Sequence, residues 1–367
     1  MRTALGLAAL LVVGATLVSG SSPADSVRHR YLLDSNELRT VSRYGTVRKV
    51  SRQSLGDPNT VRARPHWLAL ARPLGAGAPP WARRMYRRSL LVLHGLTDRG
   101  GAVIAGAREG WAYVWPRDAG AVAIAFAAAG YRGEARRIAR FLLRLDLSAA
   151  ARFHRDGTPV EGRAAQGDAA GWLAAAVRAA ELHRAVAPQP WRDRADYQEG
   201  DPGDYLANAL AANTVNGATS DDGKTLRALF AAPAGTLARE AGDPDSGIDS
   251  ATAWAVRPFP HPALYSLARR SLLRLAASSG RFGIVPSQSW EGGQDPWTAP
   301  TAWTAWSLAA LGERRATLTL MAELGRAATA NGMLPERVDA ETGVPTSTTP
   351  LAWSHAFAIL ALRQLWP

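Results

Sequence analysis

WAYVWPRDAG, residues 111–120, puts three aromatic rings, a proline and an adjacent Arg117–Asp118 pair into ten positions. A glycine-rich run, GGAVIAGAREG at 100–110, precedes it, and an alanine-rich run, AGAVAIAFAAAG at 119–130, follows. The alanine run is helix-forming. Pro116 fixes the backbone that leads into it, and Asp118 stands where a side-chain oxygen can cap it. Arg117 offers a planar fork of donors that grips vicinal hydroxyls or orients a carboxylate. Aromatic faces beside a polar fork suit a sugar ring, which shows C–H groups on its face and hydroxyls on its edge. The competing reading of this stretch alone is a capped helix with aromatic core residues.

On both sides of it the chain alternates between helical runs and long polar loops. Apolar spacing predicts helices at 81–98, 119–130, 132–147, 169–186, 205–216, 222–232, 262–279, 301–311, 313–330 and 351–366. In the first of these, Trp81, Met85, Leu90 and Leu93 share a face while four arginines stay in water. Loops are expected at 153–168, 187–204, 233–250, 281–300 and 331–350, and each carries a carboxylate. Repeated helix hairpins with long loops on one side predict an all-α body closed into a helical toroid, with the loops at one rim. Long loops in such a body are usually functional.

The 367 residues contain 13 Trp and no Cys. Several tryptophans fall in Gly/Pro/Asp-rich loops, where aromatic side chains point to a ligand cleft. Without cysteine there are no disulfides, thiolate metal sites or thiol nucleophile. Of the +12 net charge, residues 1–100 hold 16 Lys+Arg against 5 Asp+Glu, and residues 101–367 hold 27 against 26. The body is nearly neutral, which argues against a nucleic-acid partner. The basic arm is suited to contact with an anionic cell surface. Arg2, the apolar run Thr3–Val18 and SGSSPA at 19–24 read as a signal peptide, with an uncleaved membrane anchor as the competitor. Secretion or surface attachment is therefore expected. Residues 25–80, arginine-rich and broken by five prolines, read as an arm with little regular structure, and 81–367 as the catalytic body.

A rim of carboxylates and aromatics suits glycoside hydrolysis, which needs one protonated acid and one carboxylate partner. His154, His183, His261 and His355 have no metal-ligand spacing, there is no HExxH element, and no Gly-x-Ser-x-Gly elbow is present. No metal or cofactor is expected. Pro335–Glu336 stand in a loop that closes with TSTTPLAWSHA at 346–356, where neighbours can orient the carboxylate.

Four stretches together resemble the glucoamylase-like family of inverting glycoside hydrolases, glycoside hydrolase family 15, over residues 81–366. They are WAYVWPRDA at 111–119, QGDAAGW at 166–172, GGQDPWTAPTAWTAWSLAALG at 292–312 and MLPERVDAETGVPTSTTPLAWSHA at 333–356. The resemblance implies a six-hairpin (α/α)6 barrel and a monomer acting on oligosaccharide or polysaccharide. It implies release of glucose from the non-reducing end of α-linked glucosides. A trehalase of the same fold and a non-catalytic sugar-binding protein are the alternatives. By the same resemblance Glu336 is the general base, and Arg117 and Asp118 hold the terminal sugar. Tyr113, Trp115, Gln166, Asp168, Trp290, Trp297, Trp353 and His355 complete the substrate-binding set. The general acid falls in ADYQEGD at 195–201, making Glu199 the candidate, with Gln198 where the family has tryptophan. Glu291, beside Trp290, is the runner-up. IVPSQSW at 284–290 lacks the family's arginine, and no separate N-terminal β-domain fits the chain. Ser347, Thr348 and His355 are the expected donors to Glu336. Asp196, Asp201 and Asp204 are expected to raise the pKa of Glu199 by repulsion.

Overall fold

Two kinds of helix alternate along the chain, and their sequences say which is which. PRDAGAVAIAFAA, TAPTAWTAWSLAA and AWSHAFAILALRQL are small or apolar on nearly every face and are buried on nearly every face. RGEARRIARFL and RRATLTLMAELGRA bury one stripe and keep their arginines outside. A helix apolar all round needs neighbours all round, whereas an amphipathic one can form the outer surface.

The structure, a computed structural model, describes residues 30–34, 37–41, 47–49, 66–215 and 217–367. The expected leader over 1–24 and most of the arm lie outside the described residues. The α-helices are α1 (Pro80–Leu96), α2 (Pro116–Ala128), α3 (Arg132–Leu142), α4 (Ala169–Ala179) and α5 (Leu206–Ala212). They continue as α6 (Ser220–Phe230), α7 (Tyr265–Ala277), α8 (Thr298–Ala310), α9 (Arg314–Ala327) and α10 (Ala352–Leu365). A 3-10 helix spans Ser250–Ala255.

Six elements make a closed inner ring. α2 packs on α4, α4 on α5, α5 on the 3-10 helix, that helix on α8, α8 on α10, and α10 back on α2. α1, α3, α7 and α9 brace this ring from outside, and α6 packs beside the short 3-10 turn at Pro262–Leu264. The inner contacts are close because small residues stand at them. A Cβ on Gly171 would come within 2.4 Å of the Ala211 carbonyl, and one on Gly120 within 2.9 Å of the Trp172 carbonyl. Inside the ring Trp172, Trp254, Trp303, Phe259 and Phe357 form an edge-to-face cluster, with Trp303–Trp353 centroids 5.0 Å apart. Such geometry adds to the area these rings bury.

The body thus has the expected all-α toroid, with local differences. The helix predicted over 169–186 stops at Ala179. Glu181 takes φ 55° and the Leu182 N–H donates to the Val177 carbonyl, a Schellman ending. Residues 181–205 then run without helix, so one outer position between α4 and α5 lacks one. The inner 3-10 helix at 250–255 was not foreseen; it supplies the ring member that a loop at 233–250 left out. In the arm, Arg30–Asp34, Glu37–Val41 and Val47–Lys49 pair as an antiparallel meander, where little regular structure is expected.

Candidate active site

The loops that lead into the inner elements converge on a cavity of about 300 Å3. α2 begins with Pro116 as its first residue, as the sequence implies, but Trp115 is the cap position and makes no side-chain capping bond. Asp118 therefore does not cap the helix. It lies in the first turn, where the backbone N–H of Trp353 at the start of α10 helps to hold its pKa down. Its Oδ1 has no hydrogen-bond partner among the described residues. Burial pushes this carboxyl up to about 7, against the pull of Arg117 and with some help from Glu336.

Arg117 is 3% exposed. Its Nη1 donates to Asp168 Oδ2 at 2.6 Å, and its guanidinium lies 5.1 Å from the centre of the Trp353 ring. Asp168 also accepts from Trp172 Nε1 at 3.1 Å. Asp168 is fully buried and does not line the cavity; it fixes the fork from behind. Gln166 acts likewise, donating to the Asp196 carbonyl at 3.2 Å and reaching Glu199 Oε1 at 3.5 Å.

Glu336 lines the cavity from the loop between α9 and α10. Its Oε1 accepts from Trp111 Nε1 at 3.2 Å and its Oε2 from the Ser347 hydroxyl. Burial pushes the carboxyl up, while Ser347, Trp111 and the charges of Arg337 and Arg163 pull it back. Ser347 is thus a donor, as expected, but the other two neighbours act differently. Thr348 contributes its backbone carbonyl to the Glu336 N–H at 2.9 Å. His355, fully buried and off the cavity, accepts the Leu334 N–H on Nε2 at 2.9 Å and faces Ser89 Oγ at 2.9 Å through Nδ1. Burial pushes His355 down to about 3, so it stays neutral and pins the loop two residues before Glu336.

Glu199 lines the same cavity. Its backbone is left-handed, φ 58°, a conformation that glutamate seldom adopts and that turns the chain sharply before Gly200. Oε1 accepts from Trp115 Nε1 at 2.9 Å, and Oε2 pairs with Arg163. Two of the three acidic neighbours expected to act on it turn elsewhere, Asp196 to Arg239 at 3.2 Å and Asp204 to Arg192. Beneath the loop, Gln198 Nε2 donates to Asp249 Oδ2 at 2.7 Å and the Tyr197 hydroxyl to Asp249 Oδ1 at 2.9 Å. Burial and the nearby Asp196 push Asp249 up to about 7, while Arg239 pulls it down. Gln198 thus replaces an aromatic wall with a polar tie. Glu291, the alternative acid, is exposed and off the cavity.

Of the aromatic set, Trp115, Trp290, Trp297 and Trp353 line the cavity and Tyr113 does not. Tyr113 supports Arg152, whose guanidinium sits 4.8 Å from its ring centre. The indole Nε1 atoms of Trp290, Trp297 and Trp353, with Arg117 Nε, lack hydrogen-bond partners among the described residues. Buried polar groups are normally paired, so these atoms are donors left open on the cavity side of the fold. Sequence reasoning missed Trp111, Arg152, Arg163 and Arg337. Trp111 carried a signal, since it opens the quoted motif; the arginines sat among too many surface arginines to stand out.

The family model for glycosyl hydrolases family 15 matches residues 80–155. No curated protein matches the chain. Among solved structures, a glycosidase in complex with glucose has TM-score 0.63 at 18% identity, over 82% of this chain and 99% of that one. A bacterial glucoamylase complexed with acarbose has TM-score 0.62 at 16% identity, over 85% of this chain and 60% of that one. The glucoamylase of Saccharomycopsis fibuligera has TM-score 0.58 at 14% identity, over 78% of this chain and 94% of that one. At these identities the structural likeness is one of fold. A family match through the Arg117–Asp118 stretch and a body with the glucoamylase (α/α)6 fold agree with the likeness that the motifs carry: the chain is similar to the glucoamylases in fold and in that stretch.

Proposed function

We propose that the protein hydrolyses α-linked glucosides from the non-reducing end, with inversion. The observation that carries this reading is that Glu199 and Glu336, from two different loops, line one cavity together with Arg117 and Asp118. In the proposed reaction Arg117 and Asp118 grip hydroxyls of the terminal sugar. Glu199 gives its proton to the glycosidic oxygen as the bond from C1 breaks. A water oxygen bonds to C1 from the opposite side, and its proton passes to Glu336. Inverting sites hold the two carboxyls roughly 6.5–9.5 Å apart to admit that water.

The test is incubation of the protein with maltose, isomaltose, trehalose and soluble starch, following free glucose and its anomer by NMR in the first minutes. Early β-glucose is the expected product. The anomer is read on starch, whose leaving chain is not glucose: early α-glucose from starch would overturn inversion, and glucose from trehalose alone would make the protein a trehalase. A second reading, sugar binding without turnover, is favoured by the Arg163–Glu199 ion pair, which engages the proposed acid in its charged form. Absence of glucose from every substrate would select it. We further propose export, on the Arg2 and apolar-run pattern; intact leader in a membrane fraction by mass spectrometry would replace it with anchoring.

A further inference from the structure

Four guanidiniums line the cavity against three carboxylates: Arg117, Arg152, Arg163 and Arg337 beside Asp118, Glu199 and Glu336. Neutral sugars do not need that excess. Arg117 is accounted for by Asp168. The other three lie on rigid backbone. The Ala151 N–H donates to the Arg163 carbonyl and the Val160 N–H to the Arg152 carbonyl, which holds the two arginines on neighbouring strands of a short hairpin. Val114 and Phe153 exchange backbone hydrogen bonds at 2.8 Å, fastening that hairpin to the motif strand. Arg337 lies opposite Trp297 in an isolated bridge.

Arg152 is the most telling. Its guanidinium is spread over Tyr113 at 4.8 Å and Trp115 at 5.6 Å, and it has no carboxylate partner among the described residues. Cation–π contact positions such a charge without neutralising it. Arg163 feels the repulsion of Arg152. The Nε atoms of Arg152 and Arg337 are buried without partners among the described residues, and Arg152 Nη1 reaches only the Gly110 carbonyl, at 3.4 Å. A bland account, that the arginines keep Glu336 ionised, covers Arg163 and Arg337, whose charges pull on Glu336, but gives no reason for Arg152 to lie over Tyr113 and Trp115.

We propose that the glucoside taken by this site carries an anionic oxygen group, a carboxylate or a phosphate, on its leaving group, received by Arg152 with Arg163 and Arg337. The assignment to the leaving side rests on the hydrolase reading, in which Glu199 meets the leaving oxygen and Arg163 is its partner. The anion would draw Arg163 off Glu199 and leave that carboxyl free to hold a proton. Guanidinium forks match both anions.

The test measures binding, so that it stands apart from turnover. Calorimetry at low salt compares maltobionate, whose open-chain end is a carboxylate, with maltitol, its neutral counterpart. A second pair compares α-glucosylglycerol phosphate with α-glucosylglycerol. The anionic member of at least one pair is expected to bind about tenfold tighter or more, as charge-assisted bonds to a guanidinium pair imply. The pair with the larger ratio identifies the anion. Arg152→Gln should shrink that ratio several-fold and Arg152→Gln with Arg337→Gln should bring it near one, with circular dichroism confirming the fold of each. Equal binding within both pairs, or no measurable binding of any of the four, overturns the proposal. Hydrolysis of neutral disaccharides with equal binding would leave the hydrolase reading standing, whereas tighter anion binding without glucose release would sink only the latter.

Discussion

Asp118 keeps a proton that an exposed aspartate would lose. Its pKa moves from the ordinary 3.8 to about 7 on folding, mainly through burial. Between those values the unfolded chain has released a proton that the folded chain retains, so this group lowers stability as pH rises, and the effect levels off above 7. Asp118→Asn removes the effect. The stability of the variant relative to wild type should therefore grow between pH 4 and 7 and then stay constant, as followed by urea unfolding across that range. A pH-independent difference would show that the carboxyl ionises freely. The paired glutamates carry the next expectation. Glu199→Gln and Glu336→Gln should each cut glucose release by on the order of 10^2–10^4, the range for a lost acid or base. α-Glucosyl fluoride, whose leaving group needs little protonation, should restore turnover to the Glu199 variant and not to the Glu336 variant. Rescue of both alike would remove the distinction between acid and base.

At the scale of single elements, His355 belongs to the loop as much as to its helix. From α10 it accepts the Leu334 N–H and reaches Ser89 on α1. His355→Ala would leave that buried N–H unpaired, at a cost of about 1–3 kcal/mol. The urea midpoint should drop accordingly and glucose release should fall, because Glu336 loses its anchor; an unchanged midpoint would refute the anchoring. The sequence pointed to this histidine but not to its task, since whether an imidazole faces a cavity or a backbone depends on packing far along the chain. The ends of helices tell the same story. α2 stops at a left-handed Gly130, which the sequence announces. α4 stops with a left-handed Glu181, which it does not, so the predicted helix ran on. The 3-10 helix at Ser250–Ala255 is too short to show a period before Pro258 and Pro260 interrupt it. The long helices were legible because their periods run for three turns or more. Arg117, Asp118, Trp115 and Glu336 were legible because they sit in specific motifs. Arg152 and Arg163 reach the cavity through a hairpin whose turn, Asp156–Gly157 with Gly157 at φ 93°, is legible in the sequence, but whose docking on the motif strand is not.

Across the whole molecule, the inner ring is complete but its outer bracing is uneven. Residues 181–205 cross the outside between α4 and α5 without a helix, and Glu181, Arg184, Arg192 and Asp193 are exposed there. Segments of this kind open at lower free energy than packed helices. Brief trypsin treatment of the body should cut first after Arg184, Arg192 or Arg194, read by mass spectrometry of the fragments. First cuts within the arginine-rich outer helices α3 or α9 would show that the bracing is not weakest here. The same segment leads into the turn that holds Glu199, so early nicking should also depress glucose release ahead of any loss of helical signal.

The ring closes where α10 meets α2, and that seam also joins Trp353 to Asp118. α10 is the last ring member in chain order. A polypeptide leaving the ribosome would therefore carry Arg117 and Asp118 long before Trp353 is made, with five members of the ring in sequence but unable to close it. The last part of the cavity wall to be made is therefore Glu336, Arg337, Leu351 and Trp353, and until α10 is complete the apolar inner faces of α2 and α8 lack the helix that covers them.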